Sequence, residues 1–267
     1  MSKTILITGA TDGIGLETAK RLGAEGHHLL IHGRSAEKLA GAEAAIIGAA
    51  SIERYRADFA RLEHVAGMAD AITAKHNSLD VVINNAGVFK TATPIAPNGL
   101  DMRFVVNTLS PYLLAKRLLP IMSGNGRIVN LSSAAQAPVS IPAMQGGTPM
   151  ADMDAYSQSK LAITMWTRAM AHSLPDGPVV VAVNPGSLLA SKMVTEGFGV
   201  AGNDIQIGVD ILHRAALSDE FTKASGQYFD NDSGRFAPPH PEGLDDAKCA
   251  AVTQAVEDLI ADHHKAV

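Results

Sequence analysis

The run Lys3-Thr-Ile-Leu-Ile-Thr8 leads straight into Gly9-Ala-Thr11-Asp12-Gly13-Ile14-Gly15 and then into a helical pattern. A buried strand must therefore turn sharply within a few residues and become a helix. Glycine permits both the turn and a close backbone approach to a ligand. The first turn of such a helix presents unpaired N–H groups and a positive dipole end, which suit a pyrophosphate. The spacing is TGxxxGxG rather than GxGxxG, so it shares the mechanism of the dinucleotide fingerprint without its letters. The alternative is an ordinary strand-to-helix turn. On the nucleotide reading, Gly9, Thr11, Asp12, Gly13, Ile14 and Gly15 are the first candidate cofactor contacts.

Strand-like runs lie near 3–8, 27–32, 51–57, 79–84, 126–132, 179–184 and 226–230, with helical patterns at about 14–25, 35–47, 61–76, 99–121, 155–174, 204–217 and 244–262. Such alternation specifies an α/β fold with a parallel sheet covered by helices on both faces. A chain of 267 residues with 46% hydrophobic content reads as a single domain over 1–267, and the Gly- and Pro-rich stretches 134–154 and 231–243 read as surface loops. A net charge of -5 with no basic run argues against nucleic acid. No apolar stretch is long enough to span a bilayer, a strand beginning at residue 3 leaves no room for a signal peptide, and Cys249 has no partner for a disulfide. A cytoplasmic location is the expectation. Ten histidines, including His27-His28 and His263-His264, lack zinc-site spacing, so no metal is assigned.

The chemically suggestive residues fall at strand carboxyl ends, where open α/β sheets bind ligands. His32-Gly33-Arg34 follows the second strand, Asp58 the third, Asn84-Asn85-Ala86-Gly87 the fourth, Ser132-Ser133 the fifth and Asn184-Pro185-Gly186 the sixth. Farther on, Tyr156 and Lys160 stand four residues apart, hence on one face of a helix. An ammonium there lowers the phenol's pKa towards the range useful for acid–base chemistry. A half-buried Tyr beside a solvated Lys is the plain alternative.

Thr8-Gly9-x-x-x-Gly13-x-Gly15, Asn84-Asn-Ala-Gly87, Asn107, Ser133, Tyr156-x-x-x-Lys160 and Pro185-Gly186 resemble, in order and spacing over nearly the whole chain, the short-chain dehydrogenase/reductase family. The resemblance implies a Rossmann-type, doubly wound, seven-stranded parallel sheet with a nicotinamide dinucleotide across its strand ends. It also implies a tetrad of Asn107, Ser133, Tyr156 and Lys160 and hydride transfer to or from a carbonyl or alcohol carbon. In that scheme Ser133 steadies the oxyanion, Tyr156 exchanges the proton, Lys160 lowers the Tyr156 pKa and binds ribose, and Asn107 holds a relay water. Of the two serines the resemblance selects Ser133, and side-chain alternation along a strand leaves Ser132 to cap or pack. Family positions at Asn85, Ala86, Gly87, Pro185, Gly186 and Ser187 join the cofactor set, and Asp58 matches the contact to the adenine amino group. Ala190 stands where many relatives place a carboxamide-binding Thr, which makes Ser191 the candidate from the next position.

Relatives that prefer NAD carry an acidic residue where Gly33 stands, and Arg34 is suited to a 2′-phosphate, so NADP(H) is the expected cofactor. Asp12 runs against this, since many NADP-binding relatives are basic there; it is placed to pair with Arg34 when no dinucleotide is bound. Ser133 and Tyr156 are 23 positions apart, which makes 134–154 an insertion similar to that of retinol dehydrogenase-like relatives. Its Ile141, Met144, Met150 and Met153 either wall an apolar substrate pocket or pack the loop onto the body. Segment 187–203, with glycines at 197, 199 and 202, is expected to form a lid. Trp166 lies on a helix that relatives pair across a dimer interface; homodimer, homotetramer and monomer all stay open. The expected activity is that of an NADP(H)-dependent carbonyl reductase or alcohol dehydrogenase on a largely apolar small molecule. The rival is a redox sensor that binds the dinucleotide without turnover.

Overall fold

Continuous apolar runs place their strands at the centre of a sheet covered on both faces. Ile5, Leu6, Ile7, Leu29, Leu30, Ile31, Val81, Val82, Ile83, Ile128, Val129 and Val180–Val183 are all essentially inaccessible. A computed structural model of the chain describes residues 1–146, 149–190 and 192–264. The strands are β1 (Thr4–Ile7), β2 (His28–Gly33), β3 (Ser51–Arg56), β4 (Leu79–Asn84), β5 (Met122–Leu131), β6 (Val179–Asn184), β7 (Tyr228–Asp230) and β8 (Arg235–Phe236). They form one sheet in the order β3-β2-β1-β4-β5-β6-β7-β8, parallel throughout except for β8. The chain reverses its winding direction between β1 and β4, and the crevice at that switch is where such sheets bind ligands.

The sheet thus has eight strands where seven were expected. Strand β8 is two residues long within a Gly- and Pro-rich stretch, too short for any alternation to show. Its hairpin turns through Gly234 at φ 69° and pairs Phe229 with Phe236, whose rings stand 5.1 Å apart beside Phe221.

The helices are α1 (Gly13–Ala24), α2 (Ala36–Ala45), α3 (Leu62–Lys75), α4 (Met102–Phe104), α5 (Ser110–Leu118), α6 (Ile141–Met144), α7 (Asp152–Ser173), α8 (Lys192–Phe198), α9 (Gln206–Leu217) and α10 (Asp246–His264). The single helix expected over 99–121 is broken, because Val105–Leu109 is a π-helical turn in which the Ser110 amide donates to the Val105 carbonyl. Pro111 supplies the reason. It offers no N–H to the carbonyl four residues back, which belongs to Asn107, and its ring crowds that carbonyl, so the helix widens by a residue. None of the described helices is long and apolar enough to cross a membrane.

Two cores lie on opposite faces of the sheet. One face carries α1, α2 and α9; the other carries α3, α5 and α7 and is closed over by α10, whose Cys249, Val252, Ala255, Val256 and Leu259 share a cluster with Tyr112, Leu161 and Trp166. Trp166 is fully buried and meets Tyr112 edge-on at 5.4 Å. Glu257 fastens α10 to Tyr112 and, at 3.3 Å, to Lys116, while Asp246 holds Arg168 at 2.8 Å. Trimming one buried valine of α10 tests this closure: Val256→Ala should lower unfolding stability by about 1–3 kcal/mol in urea melts while leaving catalytic constants within about twofold.

Candidate active site

Thr8 and Asn85 build the crevice floor. The buried Thr8 hydroxyl accepts from the amides of Asn85 and Ala86, each at 3.0 Å, and donates to Ile83 O. Asn85 Nδ2 in turn donates to the carbonyls of Thr8, at 2.9 Å, and Gly9, at 3.1 Å. The turn between β1 and α1 is thereby clamped to the end of β4. Gly9 sits at φ 66° and Gly13 at φ 55°, backbone states that disfavour a side chain. A Cβ on Gly15 would lie 2.3 Å from Gly9 O. Asp12 caps α1 by accepting from the Gly13 amide at 2.8 Å and makes no ion pair with Arg34, contrary to the expectation for the state without dinucleotide. Thr11 lies against Gly33, and Ile14 packs towards Gly208.

Across the crevice, Asn107, Tyr156, Lys160 and Ser133 come together. The π turn brings Asn107 to the loop after β4, where Oδ1 accepts from Val88 N at 2.8 Å and Nδ2 donates to Val88 O at 2.9 Å and to Ser159 Oγ at 3.0 Å. Ser159 passes this on to Tyr156 O at 2.7 Å. Both amide hydrogens of Asn107 are thereby used. The position of a Cβ on Gly87 would be 3.3 Å from Asn107 Oδ1 and 3.7 Å from Lys160 Nζ, which shows how closely the three meet.

Lys160 is buried and donates through Nζ to Leu131 O at 2.7 Å; Nζ is 5.7 Å from the centre of the Tyr156 ring. Burial lowers its pKa to about 8. The Tyr156 phenol, however, is held above its ordinary value: burial pushes it up, and a hydrogen bond with Ser133 opposes this. The expectation that Lys160 makes the phenol acidic is therefore not met in this geometry. The ammonium is spent on a carbonyl, and the desolvation that weakens Lys160 also disfavours a phenolate.

The two serines diverge as strand geometry requires. Ser132 is buried and bonds Lys160 O at 3.0 Å and Thr164 Oγ1 at 2.7 Å. Ser133 is half-buried beside Tyr156, with its carbonyl accepting from Tyr228 Oη at 3.1 Å. Arg34 is exposed at the end of β2, and Asp58 is half-buried after β3 with Oδ1 accepting from Ala60 N.

After β6, Pro185, Gly186 and Ser187 are gripped by the β7–β8 turn. Asp232 accepts from the Ser187 amide at 2.8 Å and hydroxyl at 2.6 Å, and Asn231 donates to Pro185 O at 2.9 Å. Ser191 lies outside the described residues. Segment 187–203 is clasped at its base, where Ala190 N donates to Asn203 O at 2.7 Å and Asn203 N to Leu188 O at 2.6 Å. Farther along, Gly197 comes so near Phe89 that a Cβ would meet its ring at 2.7 Å; Phe89 stands edge-on to Tyr156 at 5.1 Å. In the insertion, Met144 is fully buried, Ile141 and Met150 pack against the body, and Met153 is exposed. Packing rather than a pocket wall is the role of the first three. Buried Arg103 anchors the segment by pairing with Asp101 at 2.7 Å and Asp152 at 2.9 Å. Phe89, Ser159 and Asp232 carried no site signal of their own, since each acts on the site through a partner remote in sequence.

The family model for short chain dehydrogenases matches residues 3–198. Retinol dehydrogenase 13 of Mus musculus is 31% identical, over 91% of this chain and 79% of its own length. A crystal structure of a protein from Mycobacterium Paratuberculosis superposes with a TM-score of 0.81 at 25% identity, covering 97% of this chain and 93% of that one. A short chain dehydrogenase from Shigella flexneri complexed with NADP superposes with a TM-score of 0.69 at 25% identity, covering 86% and 96%. The chain belongs to the short-chain dehydrogenase/reductase family, and it is a nicotinamide dinucleotide-dependent oxidoreductase of the retinol dehydrogenase-like kind.

The depressed Lys160 pKa has a stability consequence. Because the unfolded chain protonates this amine up to its ordinary value, the folded protein gains stability as pH rises from about 8 towards about 10.5. Lys160→Met should thus be the more stable protein near pH 7 by about 1–3 kcal/mol, with the gap narrowing towards about pH 10 in denaturant melts and turnover lost throughout.

Proposed function

We propose that this enzyme is an NADP(H)-dependent carbonyl reductase or alcohol dehydrogenase acting on largely apolar small molecules. The observation that carries this reading is the placement of the Ser133 hydroxyl beside the buried Tyr156 phenol at the end of β5, with Lys160 one helical turn away and 5.7 Å from the phenol ring centre. The dinucleotide fits the crevice: the closeness of Gly15 to Gly9 O leaves backbone alone facing the start of α1, a cradle that a side chain would fill. Gly9, Thr11, Asp12, Gly13, Ile14, Gly15, Asp58, Asn85, Ala86, Gly87, Pro185, Gly186 and Ser187 would hold it, with Tyr156 and Lys160 beside its reactive end. When bound, it supplies or accepts a hydride.

The chain's own residues then divide the work. Ser133 donates a hydrogen bond to the carbonyl oxygen as negative charge builds there, and Tyr156 delivers its proton to the same atom. Burial holds that phenol above its ordinary value, so the proton it delivers is in place in the free enzyme. Lys160 fixes the depth of α7 through Leu131 O and offers its remaining N–H donors to the ribose. The Asn107 carbonyl, denied an α-helical amide by Pro111, is the group suited to hold the relay water.

Support for NADP(H) comes from the end of β2. A Cβ on Gly33 would meet Thr11 Cγ2 at 2.5 Å, so the acidic residue of NAD-preferring relatives has no seat there, whereas Arg34 is open to a 2′-phosphate. The NADP in the Shigella flexneri relative agrees with this. An apolar substrate is supported by Phe89 against Tyr156, by exposed Leu188 and Val200 on the 187–203 segment, and by the retinol named for the mouse relative. That segment is read as a lid seated on Phe89. With α10 covering α5 and α7, the helix faces that relatives pair across a dimer interface are occupied by the chain itself, which favours a monomer. The sensor reading is disfavoured, since binding alone requires no proton donor poised at the crevice.

Tyr156→Phe should reduce kcat for an apolar aldehyde or ketone by about a hundredfold or more while NADPH binding stays within about threefold; wild-type turnover would refute the mechanism. Arg34→Ala should raise KM for NADPH by about tenfold or more and leave KM for NADH nearly unchanged, as read by paired initial-rate assays.

A further inference from the structure

The last turn of β2 buries a histidine to 2% exposure between the dinucleotide turn and the adenine side of the crevice. His32 Nδ1 lies 3.2 Å from the amide nitrogen of Gly9, and Nε2 lies 3.1 Å from the carbonyl oxygen of Ala57, the residue before Asp58. An amide N–H can only donate and a carbonyl can only accept, so the ring must be the neutral tautomer with its proton on Nε2. Burial favours that state, lowering the pKa to about 4. Phe59 stacks on the ring at 4.2 Å and 24°, and the His32 carbonyl accepts from Ala10 N at 2.9 Å. Gly9 is therefore held on both of its polar groups: His32 takes its N–H, and Asn85 Nδ2 donates to its C=O at 3.1 Å.

We propose that His32 is a positioning residue of the dinucleotide site, a strap that sets the spacing between the glycine turn and the end of β3 and thereby the affinity for the cofactor. The proposal rests on reading the Gly9–Gly15 turn as that site. His32 touches no reacting atom, so its influence falls on binding rather than on turnover. A residue serving only to fill the core would instead alter stability and leave affinity alone.

The two bonds are separable by substitution. Asn places an acceptor near Nδ1 and so keeps the Gly9 bond; Gln places a donor near Nε2 and keeps only the Ala57 bond; Leu keeps neither. With NADPH as probe, fluorescence titration of folded protein should give H32N a Kd within about threefold of wild type and H32Q and H32L a Kd weaker by about tenfold or more, while kcat at saturating NADPH stays within about twofold. H32Q binding as tightly as wild type, or all three variants losing affinity equally in step with Tm, overturns the strap. Wild-type protein with no affinity for NADPH or NADH overturns both the strap and the dinucleotide reading, whereas unchanged H32Q affinity overturns the strap alone. In the unmutated chain, ¹⁵N NMR should find His32 as the neutral Nε2–H tautomer, and the opposite tautomer contradicts the assignment whatever the variants do.

Discussion

One buried hydrogen bond, from the Lys160 ammonium to the Leu131 carbonyl, sets the geometry of the reactive half of the crevice. Burying a cation is unfavourable unless it is well bonded, so the amine is held at the end of β5 and α7 comes with it. Tyr156 then stands one helical turn before Lys160, and Ser133 two residues beyond Leu131, which brings phenol and hydroxyl together. Asn107 completes the lock from the other side, through Ser159 and Val88. The arrangement is rigid because Lys160, Asn107 and Ser133 are each bonded to backbone, and the buried polar network has few alternatives.

The cofactor half follows a different logic. There the glycines leave room, while Thr8, Asn85 and His32 supply the tethers that keep a turn without side chains from wandering. A turn that binds through backbone N–H groups needs them aimed before the ligand arrives, since ordering them on binding would consume affinity. The third element, the loop after β6, is held by Asp232 on the β7–β8 turn, so that short eighth strand acts on the site as well as on the sheet edge.

Much of this was legible in the sequence because its physics is local. The strand–glycine–helix run, the order of strand ends, and the Tyr156–Lys160 spacing each reflect neighbours within a turn or two, and they led to the α/β class, the parallel sheet and the family. Strand alternation also separated Ser133 from Ser132. What stayed hidden depends on contacts remote in sequence. Nothing near Asp232 announces its hold on Ser187, nor does Met144 reveal that it sinks into the core rather than facing a substrate. Pro111 did carry a signal against a continuous helix, and its consequence is the π turn that presents Asn107. The burial that holds the Tyr156 phenol up and the Lys160 amine down was not legible, because spacing says which groups are near, whereas desolvation depends on how deeply the fold buries both.

The central claim is that burial holds the Tyr156 phenol above its ordinary value in the free enzyme, so that a lowering must come from positive charge brought beside it by an oxidised dinucleotide. Tyrosinate absorbance, taken as the difference between wild type and Tyr156→Phe over a pH titration with and without NADP⁺, reads this directly. The account predicts no Tyr156 signal below about pH 10 in the free protein and a titration shifted downward once NADP⁺ is bound. A phenolate already present near neutral pH without the dinucleotide, or a titration that NADP⁺ leaves unmoved, would contradict it.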